Sequence, residues 1–484
     1  MKSKKSKTIV LLLLCLVLLG GGAVVMFIMQ SSGQGDKEKQ ESKTQAKVTS
    51  LETFGAWTEI EEFQAVPSLV TPNSKIGEVA DYGNKHYVVD VNGTTVEDYL
   101  EYLNTLEEAG FTKHSDNGED AMEGYVMTAS FKKDELTVTV SHAINLDKTY
   151  ISAVKGLNLS DHLVYTDDYM EGVDSDAKTT LHMLQLNNNG ASFVIQLKNG
   201  HFVIHDGGTK YDAPYLLDYL ESLTPEGEKP VIEAWFISHA HGDHHGALMA
   251  IMDNQQWIKR ILVDGFYFVE PTQEFVNTTS DAGNASTLYQ LTHSYVLFTG
   301  EDGERSKFYR PQFGQRYYFC DMYIDVCLTP EQFPMESYYS GDFNETSIWL
   351  MNHIEDQRVL IIGDSSYTGM NQAMNIFEQS YFEVDVYAVS HHGINVYNYF
   401  TDYMTVTTAL YPNWRVGSLW QDTTTRTNLS RIEDNAHLVE SVVEAYSHEN
   451  GTVVLTFPYK VGTIETLGQT EWIYNGGRYQ TIFE

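Results

Sequence analysis

The chain has 484 residues, with 31 basic and 66 acidic side chains and a formal net charge of −35. At 42% hydrophobic and 20% charged it has the composition of globular protein, which excludes a disordered or fibrous chain, and its length accommodates about three units of ordinary domain size. The acidity disfavours nucleic acid as a tight electrostatic partner, and three cysteines exclude both a disulfide-stapled scaffold and a cysteine-built zinc finger.

Lys2, Lys4, Lys5 and Lys7 precede an uncharged run from Ile9 to Met29. At about 1.5 Å rise per residue, a helix over that run matches the roughly 30 Å hydrocarbon core of a bilayer. Residues 1–29 therefore read as a cytoplasmic tip and a transmembrane helix, a single-pass anchor in the cell membrane. The flanking lysines favour an extracytoplasmic body. Secretion after signal cleavage is the alternative, disfavoured by the length of the run and by the lack of a small-x-small site after Met29. Without the four lysines, residues 8–484 carry −35 − 4 = −39. Residues 30–50 hold no aromatic side chain and cannot bury enough surface to fold, so they read as a flexible linker.

Residues 51–165 read as a small α+β domain. Thr94 with Glu97 has capping-box spacing, and Val96, Tyr99, Leu100, Leu103 and Leu106 recur on one helical face that ends at Gly110. Residues 125–131 and 136–143 flank a polar turn at Lys132-Lys133-Asp134-Glu135, a predicted hairpin. His114, His142 and His162 are scattered, and the domain reads as a spacer or a recognition module. Residues 166–178 are an acidic linker. Strands follow over 181–186, 192–197 and 201–205, then a helix over 213–223 and a strand over 231–237. Cys320 and Cys327 flank a short hairpin; a bridge is conceivable there, but two unpaired thiols fit better.

The last strand runs directly into Ser238-His239-Ala240-His241-Gly242-Asp243-His244-His245-Gly246. Imidazole and carboxylate donors at this density suit zinc, and also manganese or iron. In a tight loop after a strand, His239 and His241 can face one ion while Asp243 and His244 face another. Gly242 and Gly246 would permit the backbone turns this needs. A helix is predicted from Ala247 to Trp257. A solvated histidine-rich loop is the bland alternative, and the position at the end of an apolar strand argues against it.

The H-x-H-x-D-H pattern resembles the signature of metallo-β-lactamase-fold hydrolases, and the resemblance spans residues 179–484. Asp206-Gly207-Gly208, Asn344 to Ser347, Gly363-Asp364 and Ser390-His391-His392-Gly393 follow in the family's order. The set is most similar to the hydrolase domain of bacterial competence DNA-uptake channels and its stand-alone relatives. The resemblance implies an α/β fold, an αββα sandwich, here preceded by the small α+β domain and the N-terminal transmembrane helix. It implies metal ligands His239, His241, Asp243, His244, Asp364 and His391, with Asp364 bridging two ions. His392 is the alternative to His391, and Asp206 supports the site from behind the ligands. A further family histidine is missing; His293 and His353 are the available candidates. Asn344 and Ser347 also read as a simple turn hydrogen bond.

Such a site implies a metal-dependent hydrolase using one or two zinc ions (manganese or iron being possible) and a metal-bound hydroxide, with Asp243 and Asp364 as catalytic carboxylates. Phosphoester or phosphodiester bonds are the expected targets, in a small molecule or a cell-wall polymer. Nucleic acid is possible by resemblance and disfavoured by charge. A metal-stabilised surface binding module without catalysis and an amide or lactone (β-lactam-like) hydrolase are the alternatives. Tyr338, Tyr339, Tyr397, Tyr399 and Tyr403 near the site loops are candidates for stacking or for packing.

Overall fold

The structure is a computed structural model that describes residues 64–82, 85–170, 173–186, 190–269, 307–332, 343–393, 398–412, 443–447, 451–467, 472–474 and 479–481. The expected anchor and linker (1–50), the start of the small domain, His293, Tyr338, Tyr339 and Tyr397 lie outside these residues. Among the described residues no helix is long and apolar enough to cross a membrane. Residues Gln45–Glu484 form one compact unit.

Six strands open it: β1 (Lys75–Asp81), β2 (His86–Asn92), β3 (Thr112–Asp116), β4 (Val126–Lys133), β5 (Leu136–Ala143) and β6 (Lys148–Lys155). They pair antiparallel in the order β1-β2-β6-β5-β4-β3. Helix α1 (Val96–Glu108) buries Tyr99, Tyr102, Leu103 and Leu106 against this sheet. Its capping box is Thr95 with Asp98, one residue beyond the predicted Thr94 and Glu97. Thr94 is buried, with its hydroxyl 2.9 Å from that of Thr149, so the first threonine free to cap is the next one. The buried face runs through Tyr102 and not through Leu100, which is exposed. The hairpin is tighter than predicted: Lys133 pairs with Leu136, and Asp134 takes a left-handed φ of 53° in the two-residue turn.

Two larger sheets follow. The nine-stranded one contains β7 (Thr180–Met183), β8 (Phe193–Gln196), β9 (Phe202–His205), β10 (Val231–Phe236), β11 (Leu262–Val263), β12 (Gly265–Tyr267) and β13 (Lys307–Tyr309). The seven-stranded one runs in chain order through β14 (Arg316–Phe319), β15 (Met322–Leu328), β16 (Trp349–Ile354), β17 (Gln357–Ile361), β18 (Glu383–Ala388), β19 (Thr405–Tyr411) and β20 (Val443–Tyr446). Strands β21 (Thr452–Thr456) and β22 (Glu465–Leu467) return to extend the first sheet beside β7, and β23 (Trp472–Tyr474) pairs with β24 (Tyr479–Thr481).

Side chains alternate across each strand, which sorts the core into layers. Val203, Phe236, Ile324, Leu350, Ile361 and Val386 meet between the two sheets. On the outer face of the first sheet, Phe202, Ile204 and Trp235 pack under α2 (Ala213–Ser222) and α3 (Gly242–Asp253). On the outer face of the second, Leu360, Tyr387 and Ala409 pack under α4 (Tyr367–Ile376) and α5 (Asn398–Tyr403). The result is a mixed α/β sandwich of four layers, αββα. Strands β9 and β10 are parallel, as are β17 and β18, so the loops leaving their C-terminal ends carry the motif residues. Cys320 and Cys327 are buried and unpaired.

The small domain is fastened to this sandwich through the serine and threonine face of its sheet. Thr128 and Ser141 donate to the Phe313 carbonyl at 3.3 and 2.6 Å, and Gln315 donates to Ser130 at 3.2 Å. Gly314 lies so close that a Cβ there would fall 1.8 Å from the Thr128 hydroxyl.

Candidate metal centre

The first four donors come from one strand–helix junction. Strand β10 ends at Phe236, and α3 starts at Gly242, five residues before the predicted start. His239 therefore lies in the connecting turn, His241 occupies the N-cap position, and Asp243 and His244 lie on the first helical turn. A carboxylate there is favoured by the exposed N–H groups of the helix end. Gly242 does not carry an unusual turn. Gly246 matters for a different reason: a Cβ would fall 2.6 Å from the backbone nitrogen of Lys210, so glycine lets α3 press onto the loop after β9.

The remaining donors come from the other sheet. Gly363 takes a left-handed φ of 54° at the end of β17, and the Asp364 N–H donates to the Ser347 hydroxyl at 3.2 Å. Glu345 accepts from the N–H groups of Thr368 and Gly369, capping α4 directly behind Asp364. The segment from Asn344 to Ser347 thus makes the expected turn bond, Ser347 N–H to Asn344 carbonyl at 3.1 Å, and also anchors the Asp364 loop. After β18, His391 and His392 both adopt left-handed φ values of 50° and 54°. Such conformations are unfavourable for residues that carry a Cβ and concentrate at functional sites.

Two groups of three donors result. His239, His241 and Asp364 converge in one; Asp243, His244 and His392 converge in the other, with all donor atoms of each group within 4.8 Å of one another. His392 is buried and its Nε2 stands 3.5 Å from Asp243 Oδ2 and 3.7 Å from Asp364 Oδ2. His391, the residue favoured from sequence, lies outside both groups. Its Nε2 is 3.8 Å from Asp364 Oδ2, and its side chain is 23% exposed. The left-handed pair turns the second histidine, not the first, into the interior. His353 is engaged elsewhere: it stacks on Tyr323 at 4.2 Å and faces Asp325, which Arg316 already holds. It supplies no donor to either group.

Asp364 spans the two groups. Its Oδ1 lies 3.2 Å from His244 Nε2 and its Oδ2 3.8 Å from His239 Nε2. Donors about 2.0–2.2 Å from a tetrahedral zinc are separated by roughly 3.3–3.6 Å, and the separations here, from 2.9 to 3.8 Å, bracket that range. His244 Nε2 is buried with no hydrogen-bond partner, and His239 Nε2 faces His241 Nδ1 at 2.9 Å. Lone pairs aimed at a common point suit a cation better than each other, so the residues present fit a metal.

Behind the donors stands Asp206. It accepts from the backbone N–H of Ser238 and from its hydroxyl, both at 2.8 Å, and lies 2.8 Å from His244 Nδ1. Burial disfavours charge throughout this cluster, yet the carboxylates of Asp364, Asp206 and Asp243 raise the His244 pKa above its ordinary value. Asp364 and Asp243 raise His392 in the same way, against its burial. In return His244 and His392 hold Asp364 well below the usual carboxylate range, despite its burial. At His239 burial and the neighbouring His244 together push the pKa well down, so the ring is neutral. Buried carboxylates thus demand positive charge here, whether from imidazolium protons or from bound cations. Ser238 and Glu345 were missed in the sequence. A serine between an apolar strand and the first histidine, and an acid preceding a helix start in space but not in sequence, give only weak local signals.

No protein-family model matches the chain, and no curated protein matches it. Among solved structures, it is similar to a HARLDQ-motif metallo-β-lactamase of Cronobacter sakazakii, with 15% identity over 42% of this chain and 70% of that one and a TM-score of 0.24. It is similar to BJP-1, a subclass B3 metallo-β-lactamase of Bradyrhizobium japonicum, with 14% identity over 41% and 69% and a TM-score of 0.25. It is also similar to CmlA, a diiron β-hydroxylase from Streptomyces venezuelae, with 12% identity over 67% and 74% and a TM-score of 0.31. At these scores the metal centre is judged on its own donor geometry.

Proposed function

We propose that residues 179–484 form a two-metal hydrolase of phosphoester or phosphodiester bonds, held at the outer face of a membrane by residues 9–29. Asp364 carries this reading, because a carboxylate of the first donor group also stands 3.2 Å from His244 and 3.7 Å from His392 of the second. A side chain so placed keeps two ions a fixed short distance apart, an arrangement suited to in-line displacement at phosphorus. Zinc fits the nitrogen and oxygen donors, with manganese and iron as alternatives. When bound, such ions supply Lewis-acid polarisation and a water that loses its proton near neutral pH.

The chain's own residues prepare that chemistry. Asp206 and Ser238 fix the ring orientations of His244 and His239, and Asp243 offers a carboxylate from the helix end. Tyr211, Tyr367 and Tyr399 are exposed, and they stand on the segments that leave β9, β17 and β18. Their rings provide stacking surface for a sugar or base next to the reacting phosphorus. The net charge of −35 points to a small phosphoester or a cell-wall phosphodiester ahead of nucleic acid.

The test is a substrate panel on the full-length protein, zinc-loaded and manganese-loaded: bis-p-nitrophenyl phosphate, p-nitrophenyl phosphate, nitrocefin, an aryl lactone and single-stranded DNA. Phosphodiester turnover that disappears in Asp364→Asn is expected. Turnover of nitrocefin or lactone alone would establish the amide or lactone reading instead. A folded, metal-loaded protein inert toward all five would leave the binding-module reading.

A further inference from the structure

We propose that Ser238 is a positioning residue that links the first donor group to the same carboxylate, Asp206, that supports the second, so that its hydroxyl governs one metal position and not the other. The inference rests on the two-metal reading above.

An ionised carboxylate only accepts hydrogen bonds. Asp206 Oδ2 lies 2.8 Å from His244 Nδ1, so that nitrogen carries a proton, and with a cation bound in place of a second ring proton His244 Nε2 presents its lone pair beside Asp364. The Ser238 hydroxyl has one proton, and it too points to Asp206 Oδ2 at 2.8 Å. With its proton committed, the Ser238 oxygen can only accept: from His239 Nδ1 at 2.9 Å and, at the longer 3.3 Å, from His244 Nδ1, whose proton Asp206 already takes at 2.8 Å. His239 Nε2 is therefore also a lone pair, directed toward His241 and Asp364. One carboxylate thus selects the tautomer of a ring in each group: His244 directly, His239 through Ser238.

The relay is held rigidly. Asp206 has a left-handed φ of 58°, its N–H donates to the Phe236 carbonyl at 2.8 Å, and its own carbonyl accepts from Trp235 Nε1 at 3.2 Å. Ser238 is buried, and its carbonyl accepts from the Ile348 N–H at 3.0 Å. A Cβ on Gly363 would fall 2.7 Å from Ser238 Cβ, so the turn carrying Asp364 packs directly on the relay. Losing the hydroxyl frees His239 to take the other tautomer, with an N–H aimed at the ion position, while the His244 bond to Asp206 stays intact. Partners of this kind are typically worth 10–100-fold in metal affinity.

The experiment measures zinc stoichiometry and affinity on the full-length protein by chelator competition. It is paired with 15N-histidine NMR, in which the His239 signals are assigned by comparison with His239→Gln. Wild type should bind two ions and show His239 protonated at Nδ1. Ser238→Ala should keep one ion at wild-type affinity and bind the other about 10–100-fold more weakly, with His239 populating both tautomers. Asp206→Asn should weaken both. Two ions bound normally by Ser238→Ala, or both lost together, would overturn the relay while leaving the two-metal reading standing. A wild type that binds no zinc would overturn both. The tautomer of His239 in the wild type needs no Ser238 variant to fold; protonation at Nε2 alone rejects the relay.

Discussion

The two sheets of the sandwich meet at the same centre and contribute to it differently. The nine-stranded sheet delivers His239, His241, Asp243 and His244 from one continuous junction between β10 and α3, braced by a carboxylate from the neighbouring strand. The seven-stranded sheet delivers Asp364 and His392 from two separate loops, each bent by left-handed residues and tied to the other by the His391 N–H bond to the Gly363 carbonyl at 3.2 Å. The sheets also differ in what they bury. His182 and His205 of the first sheet are held neutral, whereas the second encloses an ionised Asp325 against Arg316. A contiguous junction takes its four donors from one turn of chain and needs its neighbours only as braces. A donor set from two loops depends on backbone strain that only the assembled sheet maintains.

The sharpest way to break this comparison is to remove the side chain that joins the halves. Asp364→Ala should lower phosphodiester turnover by about a thousandfold or more and reduce bound zinc to one ion or none; retention of two ions would show that the halves do not share a bridge.

Acid should separate the sheets next. Burial pushes His182 and His205 down to about 4, from an ordinary value near 6.5. The unfolded chain then binds more protons between those values, so stability should fall as pH drops from 6.5 to 4, on the order of 3 kcal/mol for each ring. Asp325 is opposed by burial but held below its ordinary value of 3.8 by His353 and Arg316, so its contribution disappears only below that pH. Thermal melts of metal-free protein should show the first loss flattened in His182→Gln and the second unchanged.

A smaller effect distinguishes the adjacent histidines. His392→Ala should reduce turnover by about a hundredfold and His391→Ala by less than about tenfold, read as kcat/KM. The reverse order would place the ligand where the sequence reading put it. Least of all, Gly363→Ala should destabilise by about 1–3 kcal/mol in urea unfolding, because the new methyl meets Ser238 at a left-handed position.

What was legible in the sequence follows the same division. The β10–α3 junction announces itself by four histidines and an aspartate in seven residues, and Asp206 and Asp364 by a strand ending in an acid. Choosing between His391 and His392 required φ values, which adjacent identical residues do not encode. The start of α3 was placed late because the motif's histidines and glycines look like loop material. Their helical conformation is secured by long-range contacts, such as the Gly207 N–H on the His244 carbonyl at 2.7 Å. The Thr94 cap was misplaced for a similar reason: only the folded sheet shows that its hydroxyl is taken.

The seam at Phe313 has a consequence for how the protein comes apart. The Phe313 carbonyl serves Thr128 and Ser141 together, and Gly314 packs directly against Thr128 and Val126. Pulling the two layers apart would strip these hydroxyls of their acceptor and open a polar sheet face that has no helix of its own. Stretches that look separable on paper should therefore melt in one cooperative step, and a protease nick in the acidic stretch 166–178 should leave the two pieces travelling together.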